Sequence, residues 1–248
     1  MKEMRTLIAI EAKLLFRDPI TWLAAIALPS VVLLIFGSVF SPEPDPALGG
    51  QRWIDLFVPS LLVITLGTLG IQTLPIRLAS YREKGVLRRL STTPAHPARL
   101  LIAQLVIYGV TSVIALVLLI AVGHVAFAIP LPRDPLGYLV AFLLGMTSLF
   151  AIGLLLAAVA PSNRAATSIA IPMFFVVMFL GGVYLPRVML PDVLRRIGDF
   201  TPPGVQGLQD AWLGTAPQLA PLPLNPLERH IVGLAMAQFN GEIGRAHV

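Results

Sequence analysis

The sequence predicts an all-α integral membrane protein, a polytopic bundle of membrane-spanning helices. The chain of 248 residues is 56% hydrophobic and only 12% charged, whereas a soluble domain carries about 25% charged residues. Its apolar runs reach the roughly 20 residues that a helix needs to cross the hydrocarbon core. The alternation over about ten residues that marks a membrane barrel does not recur. Helices are therefore the predicted spanning elements, because each satisfies its own backbone hydrogen bonds in lipid.

The charged and polar residues exclude several other classes of protein. The net charge of +5 is explained by the excess of Lys and Arg on the cytoplasmic side of membrane proteins, so we predict no nucleic-acid binding. The chain has no cysteine, which excludes disulfides and thiolate metal sites. The histidines are scattered, and neither a phosphate-binding loop nor a catalytic motif occurs. We therefore predict no metal site, no catalytic residue and no cofactor bound by this chain.

Residues 1–18 predict an amphipathic helix that lies in the membrane interface. Its apolar side contains Met4, Leu7, Ile8, Leu14 and Leu15, and its basic side contains Lys2, Lys13 and Arg17. Glu11 falls in the middle of the apolar side, which leaves two interpretations. It reaches a polar neighbour or the headgroup layer, or it contacts a partner or a second subunit. Asp18-Pro19 ends the helix, because proline interrupts helical hydrogen bonding.

Five apolar runs are long enough to be read as spans. The first is too long for a signal peptide, and no cleavage site follows it. The runs cover residues 20–40, 56–76, 101–128, 136–160 and 165–184.

The second predicted span, 56–76, is the most polar of the five. It contains Thr65, Thr68, Gln72 and Thr73. Polar and small residues in a span usually serve helix packing, and the alternative is that these side chains contact a substrate on its pathway.

The segment 77–99 is strongly basic and lies between the second and third spans. From Lys84 to Leu90 it predicts a short amphipathic helix whose apolar side holds Val86, Leu87 and Leu90. Such a helix fits a groove on a partner protein. Alternatively, its positive side chains anchor the loop to anionic lipid headgroups.

The distribution of Lys and Arg predicts the orientation in the membrane. The N-terminal segment, the 77–99 segment and the Arg164 loop together hold eleven of them, and the opposite loops hold five as far as Arg196. The first side is therefore predicted to be cytoplasmic, with the N-terminus inside.

The part of the chain after the fifth span is harder to interpret. Residues 185–214 are too polar and proline-rich for a span and predict an interfacial or re-entrant element on the outer face. Residues 215–248 contain no convincing sixth span. The last seven residues correspond to codons GAG ATC GGA AGA GCA CAC GTC, which match a common sequencing adapter. We therefore expect the tail to be truncated or artefactual.

Several motifs in the predicted order resemble those of ABC-2 type transporter permeases of the drug and antibiotic resistance kind. The motifs are Phe16-Arg17-Asp18-Pro19, Arg82-Glu83, Gly85, Arg88-Arg89-Leu90, Thr93-Pro94, Gly181-Gly182-Val183-Tyr184-Leu185-Pro186, Leu190-Pro191 and Pro202-Pro203. The resemblance covers about residues 1–214.

This resemblance implies a permease subunit of an ABC exporter in a bacterial or archaeal cytoplasmic membrane. Such a permease has six spans, pairs with a second copy or a paralogue, and is driven by two copies of a separate ATPase that binds ATP and Mg. The chain itself would then not be an enzyme. The interfacial helix and the 78–92 helix would couple to the ATPase. The implied coupling residues are Glu11, Arg82, Glu83, Lys84, Gly85, Arg88 and Arg89.

The expected activity is efflux of an amphipathic drug-like, antibiotic or lipid substrate out of the cell. Two alternatives remain open. A membrane-embedded enzyme would need paired ionisable residues inside the spans, and the sequence shows none. A non-transporting membrane scaffold is the other alternative, and ATPase stimulation would separate the exporter from both.

Overall fold

The structure, a computed structural model, describes residues 2–19, 23–39, 43, 52–86, 97–184, 208 and 212. These residues are mostly helical, with no strand among them. The helices are α1 (Lys2–Phe16), α2 (Leu23–Val39), α3 (Trp53–Glu83), α4 (Pro97–Phe127), α5 (Pro135–Val159) and α6 (Asn163–Leu180). The predicted all-α class is therefore confirmed.

Four of the described helices are long and apolar enough to cross a membrane: α3, α4, α5 and α6. Helix α2 is also apolar but shorter. These helices make the chain a multi-pass membrane protein. The ends of α2, α4, α5 and α6 differ from the predicted span limits by a few residues.

The residues directly before α5 and α6 cap the starts of these two helices. The Asp134 carboxylate accepts a hydrogen bond from the Gly137 amide at 3.0 Å, and the Ser162 hydroxyl accepts one from the Ala165 amide at 3.1 Å. Both side chains thereby satisfy amide groups that have no partner within the helix. The α5–α6 turn lies at the same end of the bundle as the C-terminal end of α1, since Asp18 and Asn163 line one cavity.

Helix α3 is the centre of the bundle, because 72% of an apolar stretch of 18 residues within it is buried inside the protein. It widens into a π-helix at Thr68–Thr73. Here Gly70 lies directly against Gly153 of α5, so close that a side chain at Gly153 would overlap the Gly70 carbonyl. Small residues let the two backbones approach in this way.

The end of α3 differs from the sequence prediction. The helix runs without a break from Trp53 to Glu83, past the predicted limit of the 56–76 span. A turn at Lys84–Gly85 then interrupts the segment predicted as one helix at 78–92. Gly85 has φ +66°, a left-handed conformation that ends helices and that glycine adopts without strain.

The two ends of the bundle are held by different contacts. We call the end with α1, Glu83 and the α5–α6 turn the Glu11 end, and the opposite end, with the start of α3, the Arg52 end. At the Arg52 end, the Arg52 guanidinium bonds both carboxylate oxygens of Asp55, at 2.8 and 2.9 Å, and the Phe127 carbonyl at 3.3 Å. The bond to Phe127 joins the start of α3 to the end of α4, and the bonds to Asp55 lie within the start of α3.

Only two residues of the predicted outer element at 185–214 are described. Leu208 and Trp212 are buried in the main core, and the Trp212 ring lies 5.3 Å from that of Tyr138 in an edge-on arrangement. The remaining residues of this element, and the tail at 215–248, lie outside the described residues.

Candidate coupling site and polar cavity

Glu11 is buried at the contact between α1 and the bundle, with only 7% of its surface exposed. The Tyr81 hydroxyl of α3 donates to its two carboxylate oxygens, at 2.9 and 3.2 Å. Helix α1 also packs along α4. The bond between Glu11 and Tyr81 therefore attaches α1 to α3 in addition to α4. Of the two interpretations of Glu11, the contacts among the described residues match the first, in which the carboxylate reaches a polar neighbour.

The surroundings of Glu11 change its acidity. Burial raises the pKa of the carboxyl above its ordinary value of 4.5 because a charged carboxylate is poorly solvated there. The Tyr81 hydroxyl and the positive charge of Arg77 oppose this effect in part. Gln104 lies beside the carboxyl too, although its amide reaches no hydrogen-bond partner at good geometry among the described residues.

Arg77 extends this polar cluster to the turn between α1 and α2. Its guanidinium lies 3.5 Å from the Asp18 carboxylate. Tyr108 of α4 interacts with the same guanidinium. We call the whole set the Glu11 cluster; it consists of Glu11, Asp18, Arg77, Tyr81, Gln104 and Tyr108.

Arg82 faces the end of α5. Its Nη1 donates to the Ala160 carbonyl at 2.8 Å, and its Nη2 donates to the Ala157 carbonyl at 3.1 Å. The last carbonyls of a helix lack partners within the helix and carry the negative end of its dipole, so a cation stabilises them. Arg82 therefore ties the end of α3 to the end of α5.

Glu83 and Lys84 are exposed at the tip of this end. The Lys84 amide donates to the Ser80 carbonyl at 3.0 Å, and the Gly85 amide donates to the Arg82 carbonyl at 3.1 Å. These bonds close the last turn of α3 and present the two charged side chains outward. Arg88 and Arg89, also implied as coupling residues, lie outside the described part of the chain.

The polar residues of the second predicted span have different environments. The Thr65 hydroxyl is buried and donates to the Leu61 carbonyl at 2.9 Å. The Thr68 hydroxyl makes the same type of bond to the Ile64 carbonyl, also at 2.9 Å. Thr65 and Thr68 are therefore satisfied by their own helix.

Gln72 and Thr73, in contrast, line a cavity of 260 Å³ near the Glu11 end. It lies between the α1–α2 turn, α3 and the start of α6. Its other polar residues are Asp18, Arg77, Ser80 and Asn163. Within the described residues, no group of three or more His, Asp or Glu side chains could hold a metal ion.

A sequence model of the ABC-2 type transporter family matches residues 2–203. The chain belongs to this family. Comparison with curated proteins and with solved structures returned no match. The chain is therefore a permease of an ABC transporter, a membrane transport subunit of a family that lacks an ATPase domain of its own and generally works with an ABC ATPase subunit.

Sequence reasoning found one member of the permease's Glu11 cluster as a candidate site residue and missed the others. A signal was present, because two pairs of polar residues occur four positions apart on otherwise apolar helices. Residues with this spacing share one helix face. The pairs are Arg77 with Tyr81 on α3, and Gln104 with Tyr108 on α4.

Proposed function

We propose that this ABC-2 permease is the membrane subunit of an exporter powered by a separate ATPase that docks at the Glu11 end. This end then faces the cytoplasm, as the concentration of Lys and Arg there favours. The observation that carries the proposal is the set of bonds that Arg82 makes with the end of α5. They connect an exposed charged turn to the membrane helices.

The exposed turn is the surface that an ATPase would contact. Glu83 and Lys84 project from it and are open to a partner. Arg82 precedes them directly and passes a displacement of the turn to α5. Rigid elements that pack closely transmit small displacements because they do not deform continuously.

The Glu11–Tyr81 bond gives the same turn a second connection. Tyr81 lies one residue before Arg82 on α3, and Glu11 belongs to α1. A movement of α1 is therefore passed to the end of α3. In this proposal Glu11 and Arg82 act inside the permease as positioning residues, while Glu83 and Lys84 meet the ATPase.

The proposed assembly contains two ATPase subunits and a second permease copy, either identical or a paralogue. The exported substrate is an amphipathic drug, antibiotic or lipid. The spans carry few formal charges, which favours an amphipathic substrate over a small ion.

The test uses inside-out membrane vesicles that contain the permease together with a co-expressed ABC ATPase subunit. We expect ATP hydrolysis to rise above that of the ATPase alone, and a fluorescent amphiphile to accumulate in the vesicle lumen only with ATP. Vesicles with the ATPase but no permease serve as the control. Unchanged hydrolysis together with no accumulation would contradict the proposal and favour a scaffold or an enzyme.

A further inference from the structure

The cavity near the Glu11 end combines one positive and one negative group with neutral polar side chains. Arg77 and Asp18 are the charged pair. Gln72, Ser80 and Asn163 add amide and hydroxyl groups. The formal charges in the wall therefore cancel, so a ligand with a net charge would leave one wall charge uncompensated.

The charged pair is arranged so that it can take further contacts. Its atoms are 3.5 Å apart, longer than the roughly 2.7–2.9 Å of a close charged hydrogen bond. A guanidinium has five donors and a carboxylate has two acceptor oxygens. Asp18 and Arg77 can therefore each contact a ligand in addition to the partners that they already have.

The size of the cavity limits what can enter. Its volume is 260 Å³, whereas pockets for whole drug-sized ligands measure about 300–1,000 Å³. The space suits a polar head group, not a complete amphiphile. An apolar tail would remain outside it, in the bilayer.

One edge of the cavity is formed by an irregular part of α3. Gln72 and Thr73 belong to the π-helix Thr68–Thr73. Segments of this kind occur often at functional sites, because the wider turn changes the direction of side chains. The Thr73 hydroxyl donates to the Thr68 carbonyl at 2.9 Å, so its oxygen remains able to accept a bond from a ligand.

We propose that this cavity binds the zwitterionic head group of an amphiphile, with its anionic part on Arg77 and its ammonium part on Asp18. The role of the site in export rests on the proposed function, but binding itself does not. The amphiphile has two possible sources, a resident phospholipid and the transported substrate.

The test measures binding of three single-chain amphiphiles to the permease purified in dodecyl maltoside, by native mass spectrometry. The probes are zwitterionic lysophosphatidylethanolamine, anionic lysophosphatidylglycerol and a cationic alkylamine. We expect the zwitterionic probe to bind about tenfold more tightly than the other two, because it alone makes both charged hydrogen bonds.

Two variants test the charged pair. Arg77→Gln should lower zwitterion binding about tenfold and shift the preference towards the alkylamine. Asp18→Asn should shift it towards the anionic probe. Opposite shifts in charge preference cannot arise from general misfolding. The control is Arg164→Gln, which removes an exposed charge next to Asn163 but outside the cavity and should change nothing.

A further variant tests the location. Ser80→Leu fills the cavity without removing a charge and should lower binding of the zwitterionic probe. The inference is overturned if the three probes bind equally, if the preferences of Arg77→Gln and Asp18→Asn match the wild type, or if Ser80→Leu binds normally.

The source of the amphiphile is decided by two further measurements. A zwitterionic phospholipid that copurifies with the permease and is retained during ATP turnover assigns the site to resident lipid. ATP-dependent accumulation of lysophosphatidylethanolamine in vesicles assigns it to the substrate. Either result supports the head-group chemistry. Binding to the purified permease needs no ATPase. If the probes bind as expected but the permease does not stimulate the ATPase, the exporter proposal alone is contradicted. If the permease stimulates the ATPase but the probes do not bind as expected, this site alone is contradicted.

Discussion

The Arg82 guanidinium on α3 donates to the Ala160 carbonyl at the end of α5, with 2.8 Å between Nη1 and the oxygen. The same guanidinium bonds the Ala157 carbonyl at 3.1 Å. One side chain thus satisfies carbonyls of another helix that no amide within that helix can reach. The contact makes the tip of α3 and the α5–α6 turn one mechanical unit.

Replacement of Arg82 by alanine should uncouple this unit. We expect Arg82→Ala to lower the free energy of unfolding by about 1 kcal/mol, because two partly exposed hydrogen bonds are lost. It should also reduce ATPase stimulation. Thermal unfolding in detergent and ATP hydrolysis in vesicles measure the two effects. Lys84→Ala, which removes a neighbouring exposed cation, is the control for stability; equal destabilisation by both variants would contradict the role of Arg82.

Reversal of the exposed charge at Glu83 should uncouple transport without affecting insertion. Glu83→Lys changes the surface that we propose for the ATPase but breaks no described internal bond of its side chain. We expect normal expression and loss of most ATP-dependent transport, measured in vesicles. Arg133→Glu, a charge reversal at the Arg52 end, should transport normally. Normal transport by Glu83→Lys at wild-type expression would count against the docking surface.

The buried carboxyl of Glu11 should make stability depend on pH. Its pKa is raised above 4.5 in the folded protein, so its contribution to stability is present at low pH and is lost as the pH rises through the raised value. We expect the unfolding temperature of the wild type to fall in that range.

The variant Glu11→Gln should lack this pH dependence and be at least as stable as the wild type at neutral pH. Its amide oxygen can still accept the bond from Tyr81. Thermal unfolding at a series of pH values from about 4.5 upward measures the effect. Glu83→Gln removes an exposed carboxyl and should keep the wild-type profile. A profile for Glu11→Gln identical to that of the wild type would disprove the assignment.

The crossing of α3 and α5 should not tolerate a side chain at Gly153. A Cβ there would overlap the Gly70 carbonyl, which is backbone and cannot rotate away. We expect Gly153→Ala to cost about 3 kcal/mol or more, at the upper end of overpacking effects. Gly109→Ala is the matched control, because its Cβ would lie 3.8 Å from the nearest Met146 atom. Similar thermal unfolding of the two variants would contradict this packing.

The polar residues of α3 should separate into packing and cavity residues. Thr65→Val removes a hydroxyl that bonds only its own helix, so we expect normal transport. Gln72→Leu removes an amide from the cavity wall, so we expect reduced transport of a zwitterionic amphiphile where the cavity takes the transported substrate. ATP-dependent accumulation in vesicles compares the two. A loss with Thr65→Val as large as with Gln72→Leu would favour a substrate pathway through Thr65.

Much of the fold could be predicted from local sequence, because the length and apolarity of a run decide whether it can cross a bilayer. The end of α3 was harder to predict. The apolar run stops near Ile76, but the backbone stays helical to Glu83. Hydropathy indicates which residues can lie in lipid, but it does not indicate where the backbone hydrogen bonding of a helix ends. Gly85 then ends the helix through its left-handed backbone.

The candidate site was predictable in part for a similar reason. Glu11 stood out because a carboxylate on an apolar face is conspicuous by itself. Tyr81 and Gln104 did not, because their partner lies many residues away in the chain, on another helix. Arg82 was expected to couple to the ATPase, so its hydrogen bond to Ala160 within the permease was not predicted.

By itself, the sequence determined the class, the positions of the apolar runs and the uneven distribution of charge, because composition and periodicity are properties of single segments. Only the tertiary structure decided that α3 is central, that Gly70 meets Gly153, and that Arg77 and Asp18 share one cavity. Those facts depend on how helices distant in the chain pack together, and packing is decided by the shapes of both surfaces at once.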